Sequence, residues 1–279
     1  MVTFFERLDK ACTTHRSLVC VGLDPDPALM PPSVKDVATF NKAIVDATHD
    51  LVCAYKPNLG FYEAMGLPGL RALEQTIQHI RTVAPEVVLL GDAKRGDIGN
   101  TAAAYAKAMF DVWGFDAATV NPYGGHDAVQ PFLDYRDKGA LIWCRSSNPG
   151  ASDIQDLATP VGGNQVPLYQ VIAQRASDWN RYGNVGLVMG ATYPKQLAEV
   201  RGICPELPIL IPGLGAQAGD LEQSVRNGVD SQGKRALFNS SRGIIYASRK
   251  HDFAEAARGA AAKLRDEINA VRATEGHPW

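Results

Sequence analysis

Charged residues lie at the ends of several apolar segments of this chain, and positive and negative residues alternate among them. Lys56 ends the apolar run 51–58, and Asp92 and Lys94 end the run 86–94. Residues two apart on a β-strand project from the same face, so Asp92 and Lys94 would lie side by side. Partly buried charges are costly unless they are paired or serve a function. The spacing therefore predicts a charged catalytic site in which lysines and carboxylates are held against one another.

A fourth charge, Asp97, follows shortly after Lys94, where a helix is predicted to begin. Taken singly, each charge has a structural interpretation. Asp is among the best helix N-caps, so Asp97 could serve only as a cap. Asp92 and Lys94 could form a structural ion pair, and Lys56 could be a solvated strand end. Four alternating charges at one place favour a functional site over this combination of structural roles.

A second group of residues, late in the chain, is suited to binding an anion. Gly213 and Gly215 would let a phosphate approach the backbone closely, although they could also serve only a turn, and Arg242 would supply charge-assisted hydrogen bonds. Phosphate sites formed by the loops after the last two strands recur in barrels. The segment 213–219 lacks the G-x-G-x-x-G spacing of a dinucleotide-binding loop, because its last glycine comes one residue too late. We therefore expect a phosphate site here.

The elements that must position these residues alternate regularly along the chain. Short apolar segments typical of buried strands are separated by longer segments with helical periodicity. The predicted strands are 17–24, 51–58, 86–94, 116–121, 139–145, 184–190, 207–213 and 235–241. The predicted helices are 34–50, 69–83, 98–111, 125–135, 166–182, 194–202, 218–227 and 251–272. This α/β pattern predicts a single (β/α)8 TIM barrel over 1–279, with the polar strand ends at its C-terminal mouth and an open doubly wound sheet as the alternative.

One connection is unusually long and carries many small and polar residues. Residues 146–166 read SSNPGASDIQDLATPVGGNQV and follow the fifth predicted strand. Long connections in compact domains are commonly lids or binding loops, or else disordered. Because the active sites of barrels lie at this end of the strands, we expect 146–166 to form a lid or binding loop.

The composition argues against several other classes of protein. With 279 residues, 46% hydrophobic and 21% charged, the chain suits one soluble globular domain. The net charge of −2 argues against a partner that is a nucleic acid or a membrane. The five cysteines show no C-x-x-C spacing, and the N-terminal segment is too charged for a signal peptide, so we expect a cytoplasmic protein with reduced thiols. The histidines are scattered, so no metal site is expected.

The charged motif itself is specific enough to suggest a family. Residues 92–101, DAKRGDIGNT, resemble the D-x-K-x-x-D-I-x-x-T signature of the orotidine 5′-phosphate decarboxylase family. The resemblance extends over most of the chain, and S-N-P-G-A at 147–151 and S-S-R-G-I at 240–244 are similar to its longer bacterial branch. It implies a TIM barrel that decarboxylates orotidine 5′-monophosphate to uridine 5′-monophosphate in de novo pyrimidine biosynthesis, without metal or cofactor.

The resemblance also implies roles for the charged residues. Lys94 would protonate C6 of the pyrimidine, Asp92 would lie against the leaving carboxylate, and Lys56 would complete the charged array. Asp97 would cross the interface of a homodimer to complete the array of the partner subunit. Thr101 would accompany Asp97 and contact the ribose bound there.

Four further residues are implied in binding the nucleotide substrate. Asp24 matches the residue that hydrogen-bonds the ribose hydroxyls, and Ser147 matches the serine that contacts the pyrimidine edge. Gln217 and Arg242 match the pair that binds the phosphate. The glycine-rich segment 121–125 is assigned only as a wall of the site.

Two alternatives to a decarboxylase remain open. A Mg²⁺-dependent sugar-phosphate lyase or synthase of the same barrel suprafamily shares the D-x-K-x-x-D core, and activity after EDTA treatment separates the two. A non-catalytic phosphate-binding barrel is disfavoured, because a protein that only binds has no need of an alternating Lys–Asp array.

Overall fold

Eight parallel strands close into a barrel surrounded by helices. The computed structural model describes residues 2–214 and 221–279 of the chain. Along these residues the strands are β1 (Val19–Leu23), β2 (Ala54–Pro57), β3 (Val88–Arg95), β4 (Ala117–Val120), β5 (Gly139–Arg145), β6 (Ala158–Val161), β7 (Asn164–Pro167), β8 (Val185–Met189), β9 (Ile209–Pro212) and β10 (Ala236–Ser240). The barrel order is β1-β2-β3-β4-β5-β8-β9-β10, and parallel pairing of β10 with β1 closes the sheet. The predicted TIM barrel is confirmed.

Helices follow the strands in the alternation expected of a barrel. The α-helices are α1 (Phe4–His15), α2 (Val37–Thr48), α3 (Leu59–Ala64), α4 (Gly66–Val83), α5 (Gly99–Lys107), α6 (His126–Leu133), α7 (Leu168–Trp179), α8 (Pro194–Ile203), α9 (Leu221–Gly228), α10 (Arg242–Ile245) and α11 (Phe253–Thr274). Short 3-10 helices lie at His49–Leu51 and Pro149–Asp153, and a π-helical turn lies at Ala108–Val112. Among the helices in the described ranges, none is long and apolar enough to cross a membrane.

The barrel strands are buried because neighbouring strands cover their edges and helices cover their outer faces. Every residue of β1, β8 and β10 is buried. Burial on both faces explains why these segments are continuously apolar rather than alternating. Charged side chains enter the strands near their carboxyl ends, as Lys56 does in β2 and Asp92 does in β3. The fold therefore gathers the charges at one mouth.

The N-terminal segment forms a helix, α1, that the predicted strand–helix pairs do not include. Thr3 and Glu6 form a reciprocal capping box at its start. Phe4 packs against the first residue of β5, since a Cβ built on Gly139 would lie 2.7 Å from the Phe4 ring. Helix α1 therefore lies at the N-terminal end of β5, opposite the charged mouth.

The long connection 146–166 carries secondary structure of its own. It contains the 3-10 helix Pro149–Asp153 and most of an antiparallel hairpin formed by β6 and β7. The hairpin is largely exposed and lies outside the barrel sheet. Because β7 extends to Pro167, α7 begins at Leu168 rather than at residue 166.

The limits of the other predicted helices also differ from those in the structure, and two of these differences are more than a shift of the ends. The predicted helix 98–111 consists of α5 followed by the π-helical turn. The predicted helix 218–227 is described only from Leu221 onward, because 218–220 lie outside the described residues.

Candidate active site

Four charged side chains meet inside the C-terminal mouth of the barrel. Lys56 Nζ lies 3.0 Å from Asp92 Oδ2, and Lys94 Nζ lies 2.6 Å from Asp92 Oδ1. Lys56 Nζ also lies 3.8 Å from Asp24 Oδ1. These residues form one alternating row, Asp24–Lys56–Asp92–Lys94, which we call the charged row. Lys56 and Asp92 are almost fully buried, whereas the Lys94 side chain is 34% exposed.

Asp92 is the centre of the charged row, because both of its oxygens accept two hydrogen bonds. Oδ2 accepts from Lys56 Nζ and from Asn58 Nδ2, the latter at 3.2 Å. Oδ1 accepts from Lys94 Nζ and from Thr119 Oγ1, the latter at 2.9 Å. A buried carboxylate of this kind is tolerated only when donors occupy its lone pairs. These donors come from β2 and the residue after it, from β3 and from β4.

Burial and neighbouring charges act in opposite directions on the pKa values of the charged row. Burial alone would raise the pKa of Asp92, but the ammonium groups of Lys56 and Lys94 outweigh it and hold that pKa well below its ordinary value. Burial alone would lower the pKa of Lys56, but Asp24 and Asp92 raise it above its ordinary value. Both Lys56 and Asp92 are therefore charged at neutral pH.

Lys94 reaches Asp92 from a strained backbone position. Its φ is +45°, in the left-handed region that residues other than glycine rarely adopt, and the pairing of β3 with β4 shifts register within 91–95. The buried hydroxyl of Thr119 holds this conformation. It accepts hydrogen bonds from the Ala93 and Lys94 N–H groups at 3.0 and 2.9 Å and donates one to Asp92. Thr119 thus positions both Lys94 and Asp92.

A cavity of about 430 Å³ opens beside the charged row, at the ends of β9 and β10. Residues that line it include Asp24, Gly213, Asn239, Ser241 and Arg242. Arg242 is exposed and brings a guanidinium to the wall of this cavity. A guanidinium in the wall of a cavity of this size is suited to the phosphate of a small molecule.

Two buried acceptors line this cavity without a hydrogen-bond donor among the described residues. They are Asp24 Oδ1, which approaches Lys56 only at ion-pair distance, and Asn239 Oδ1, on a residue that is 6% exposed. A buried acceptor without a donor costs about 1–3 kcal/mol. Hydroxyl groups of a bound sugar would supply the missing donors.

Ser147, which follows β5, lies close to Gly213, one of the residues that line this cavity. A Cβ built on Gly213 would lie 3.6 Å from Ser147 Cβ and 3.7 Å from Ser147 Oγ. The structure therefore brings Ser147 close to the residues predicted to bind the nucleotide. Gln217 and Gly215, which were also predicted for the phosphate site, lie outside the described residues.

Asp97 and Thr101 do not join the charged row within the described part of a single chain. Both are exposed, and Asp97 Oδ1 accepts a hydrogen bond from the Ile98 N–H at 2.7 Å. The N-cap of α5 is Ile98, so the interpretation of Asp97 as a helix cap is wrong. Exposed apolar side chains also lie in this region, with Ile98 62% and Tyr123 91% exposed.

Three neutral residues of the site were missed by the sequence reasoning. Asn58, Thr119 and Asn239 each lie at or near the carboxyl end of a predicted strand. The signal that identified the charged residues, a polar side chain closing an apolar segment, also applies to them. Their partners could not be read from the sequence, because the contacts join different strands.

The C-terminal mouth of this (β/α)8 barrel holds an alternating row of lysines and carboxylates beside a cavity with an arginine in its wall. These features define an enzyme that acts on a phosphorylated small molecule. Comparison with known proteins narrows this class. The sequence model of the orotidine 5′-phosphate decarboxylase / HUMPS family matches residues 17–258. The chain belongs to this family.

Individual relatives match the chain over almost its whole length. It is 51% identical over 275 residues to orotidine 5′-phosphate decarboxylase of Roseiflexus castenholzii, which covers 97% of this chain and 98% of that protein. It is 50% identical over 276 residues to the protein of the same name from Thermomicrobium roseum, with coverages of 97% and 96%. The structure of Leishmania donovani OMP decarboxylase matches with a TM-score of 0.83 at 38% identity, covering 97% of this chain and 99% of that one.

Replacing Thr119 by Val should destabilise the barrel. The variant keeps the shape of the side chain but leaves the Ala93 and Lys94 N–H groups without an acceptor and removes one of the two donors to Asp92 Oδ1. We therefore expect a loss of about 2–4 kcal/mol in the free energy of unfolding. Thr119→Ser keeps the hydroxyl and should lose only about 1 kcal/mol for the missing methyl group. Urea denaturation measures both, and a Val variant as stable as the Ser variant would contradict this role of Thr119.

The lowered pKa of Asp92 should make the stability of the protein sensitive to acid. In the unfolded state the Asp92 carboxylate takes up a proton near pH 4, whereas in the native state it stays ionised to lower pH. The contribution of Asp92 to the free energy of unfolding is therefore complete above pH 4 and is lost as the pH falls. Asp92→Asn should be less stable at pH 7 by about 3–5 kcal/mol, because it leaves buried Lys56 short of a counter-charge. The difference from wild type should shrink by on the order of 1 kcal/mol per pH unit below pH 4. A difference that stays constant from pH 6 to pH 3 in urea titrations would refute this assignment.

Proposed function

We propose that this protein is a carboxy-lyase that converts orotidine 5′-monophosphate to uridine 5′-monophosphate and CO₂, a step of pyrimidine biosynthesis. Relatives that carry the name of this enzyme share about half of their residues with the chain over nearly its full length. The observation that carries the mechanism is the charged row, which places the ammonium group of Lys94 at the open mouth of the barrel.

The reaction breaks the bond between C6 of the pyrimidine and its carboxylate. CO₂ leaves, and the electron pair of the broken bond stays on C6. In the proposed mechanism Lys94 faces C6, stabilises the developing negative charge and donates a proton to it, after which solvent returns a proton to the amine. Lys94 suits this role because it is the more exposed lysine of the row, whereas Lys56 is buried between Asp24 and Asp92.

Asp92 has two functions in this mechanism. It lies against the leaving carboxylate of the substrate, and its fixed charge holds the ammonium groups of both lysines in place. Because these charges are arranged before the substrate binds, little reorganisation is needed as negative charge develops at C6.

The remaining site residues are proposed to bind the nucleotide. Asp24 accepts hydrogen bonds from the ribose hydroxyls, which would supply a donor for its buried oxygen. Ser147 contacts the edge of the pyrimidine, and Gln217 and Arg242 bind the phosphate. The cavity lined by Asp24 and Arg242 provides the space between the ribose and phosphate positions.

We further propose that the enzyme acts as a cytoplasmic homodimer. Asp97 and Thr101 are exposed beside the apolar side chains of Ile98 and Tyr123, a surface suited to a second copy of the chain. In the dimer, Asp97 of one chain would complete the charged row of the other, and Thr101 would contact the ribose there. The five cysteines are free and buried, which is typical of a reducing compartment.

The reaction is proposed to need neither a metal nor a cofactor. The carboxylates of the charged row, Asp24 and Asp92, are already engaged by Lys56 and Lys94. Electrostatic stabilisation by these fixed charges replaces the electron sink that a cofactor would provide.

A spectrophotometric assay with orotidine 5′-monophosphate tests the proposed function. We expect wild-type turnover to be unchanged in excess EDTA, and Lys94→Ala to lose at least about a thousandfold in kcat while still binding uridine 5′-monophosphate. Activity that EDTA removes and Mg²⁺ restores would indicate a metal-dependent enzyme of the same suprafamily instead. Near-normal turnover by Lys94→Ala would refute the proton donor.

A mixing experiment tests the shared site. Lys94→Ala and Asp97→Ala should each be nearly inactive as homodimers, because every site then carries one lesion. When the two are unfolded and refolded together, random pairing makes half of the dimers mixed, and one site of each mixed dimer is intact, so about a quarter of all sites should recover. Each variant refolded alone is the control. Mixed dimers that stay inactive would refute the contribution of Asp97 across the interface.

A further inference from the structure

An ion pair between a buried arginine and a partly exposed aspartate closes the first part of the connection that follows β5. The guanidinium of Arg145, the last residue of β5, donates from Nε and Nη2 to the two carboxylate oxygens of Asp156, each at 2.8 Å. Arg145 is 2% exposed, and its Cζ lies 3.5 Å from the ring centre of Tyr193. Bidentate bonds and an aromatic face fix the orientation of the guanidinium.

Further hydrogen bonds close the same loop at both ends. The Ser146 N–H donates to Gln155 Oε1 at 2.8 Å, and the Tyr169 N–H at the start of α7 donates to the Gln155 carbonyl at 2.9 Å. Between these closures the residues 148–154 are mostly exposed. The Arg145–Asp156 pair and Gln155 therefore attach this loop to the end of β5 and the start of α7.

Ser147 lies directly beside this closure, packed against the end of β8. The Gly190 N–H donates to the Arg145 carbonyl at 2.9 Å, and a Cβ on Gly190 would lie 2.7 Å from the Ser147 nitrogen. Thr192 Oγ1 donates to the Ser147 carbonyl at 3.3 Å. The backbone of Ser147 is thus held on one side by β8 and on the other by the loop that the Arg145–Asp156 pair closes.

We infer that the Arg145–Asp156 pair is a positioning device that holds Ser147 against the cavity for contact with the pyrimidine ring, an inference that rests on the proposed function. The pair acts on the base and not on the phosphate, because β8 and β9 separate β5 from β10 and Arg242. Loss of the pair frees the loop, and the Ser147 hydroxyl then occupies its binding position for less of the time.

Calorimetric titration with two ligands tests this inference. Uridine 5′-monophosphate carries a base, whereas ribose 5-phosphate has only the sugar and the phosphate. Asp156→Asn should weaken binding of uridine 5′-monophosphate roughly tenfold, about the loss of one hydrogen bond, and should leave ribose 5-phosphate unchanged. The double variant Ser147→Ala with Asp156→Asn should bind uridine 5′-monophosphate no more weakly than Ser147→Ala alone, because both changes remove the same contact.

The matched control is Asp50→Asn. Asp50 forms a bidentate pair with Arg258, at 2.6 and 2.8 Å, between the end of α2 and α11. This variant loses a pair of the same bidentate geometry, on an exposed surface away from the mouth, and should bind both ligands as wild type does. If Asp156→Asn fails to fold, Gln155→Met replaces it, because that change removes the acceptor of the Ser146 N–H at the same closure.

Each other outcome overturns the inference. Equal weakening of both ligands would show a general structural role, and additive losses in the double variant would show that the pair does not act through Ser147. Suppose that the wild type binds uridine 5′-monophosphate and turns over orotidine 5′-monophosphate, and that Asp156→Asn binds as well as the wild type does. That result would refute the positioning role and leave the proposed function standing. A wild type that does neither would refute the proposed function, and this inference with it.

Discussion

The structure of the mouth depends on one constraint, which is that the carboxylate of Asp92 is buried in an apolar barrel. A charge in this position requires counter-charges within hydrogen-bond distance, and removing one of them leaves the rest uncompensated. Lys56 and Lys94 meet this requirement, and Asn58 and Thr119 occupy the remaining lone pairs. The register of β2, β3 and β4 is therefore constrained by the Asp92 side chain, because each of these strands must place a hydrogen-bond donor within reach of its carboxylate.

The same constraint explains where the backbone is strained. Regular pleating puts residues two apart on one face, and on that ground the sequence predicted Asp92 and Lys94 as neighbours. They are neighbours, at 2.6 Å, but Lys94 reaches this position with a positive φ at an irregularity in β3. A residue in this conformation costs on the order of 1–3 kcal/mol and persists only where its surroundings hold it. The hydroxyl of Thr119 holds the backbone in this conformation by accepting hydrogen bonds from the Ala93 and Lys94 N–H groups.

Sequence reasoning predicted those features that depend on local pattern. Continuous apolar strands and the helices between them led to the barrel, and charged residues at strand ends led to the charged row. Contacts between strands could not be predicted in this way, because they depend on register across a closed sheet. Thr119 and Asn58 belong to this second kind, and so does Asn239, whose role depends on the cavity it faces. Helix α1 was missed because it precedes the repeating pattern and lies at the opposite end of the barrel.

The mouth is divided between two sets of strands with different physical tasks. The ends of β1, β2 and β3 carry the charged row, in which Lys56, Asp92 and Lys94 hold one another in place before a ligand arrives. The cavity lies at the ends of β9 and β10, where Arg242 is exposed, and it reaches Asp24; the oxygens of Asp24 and Asn239 that line it have no hydrogen-bond donor among the described residues. Fixed charges suit stabilisation of a developing negative charge, because no energy is spent on reorganising them during the reaction. Unpaired groups suit binding, because a ligand gains their full hydrogen-bonding capacity.

A phosphorylated substrate that spans the mouth would therefore be bound by its phosphate on one side and would react on the other. Binding energy from groups far from the reacting carbon can then be used to hold that carbon against the charged row.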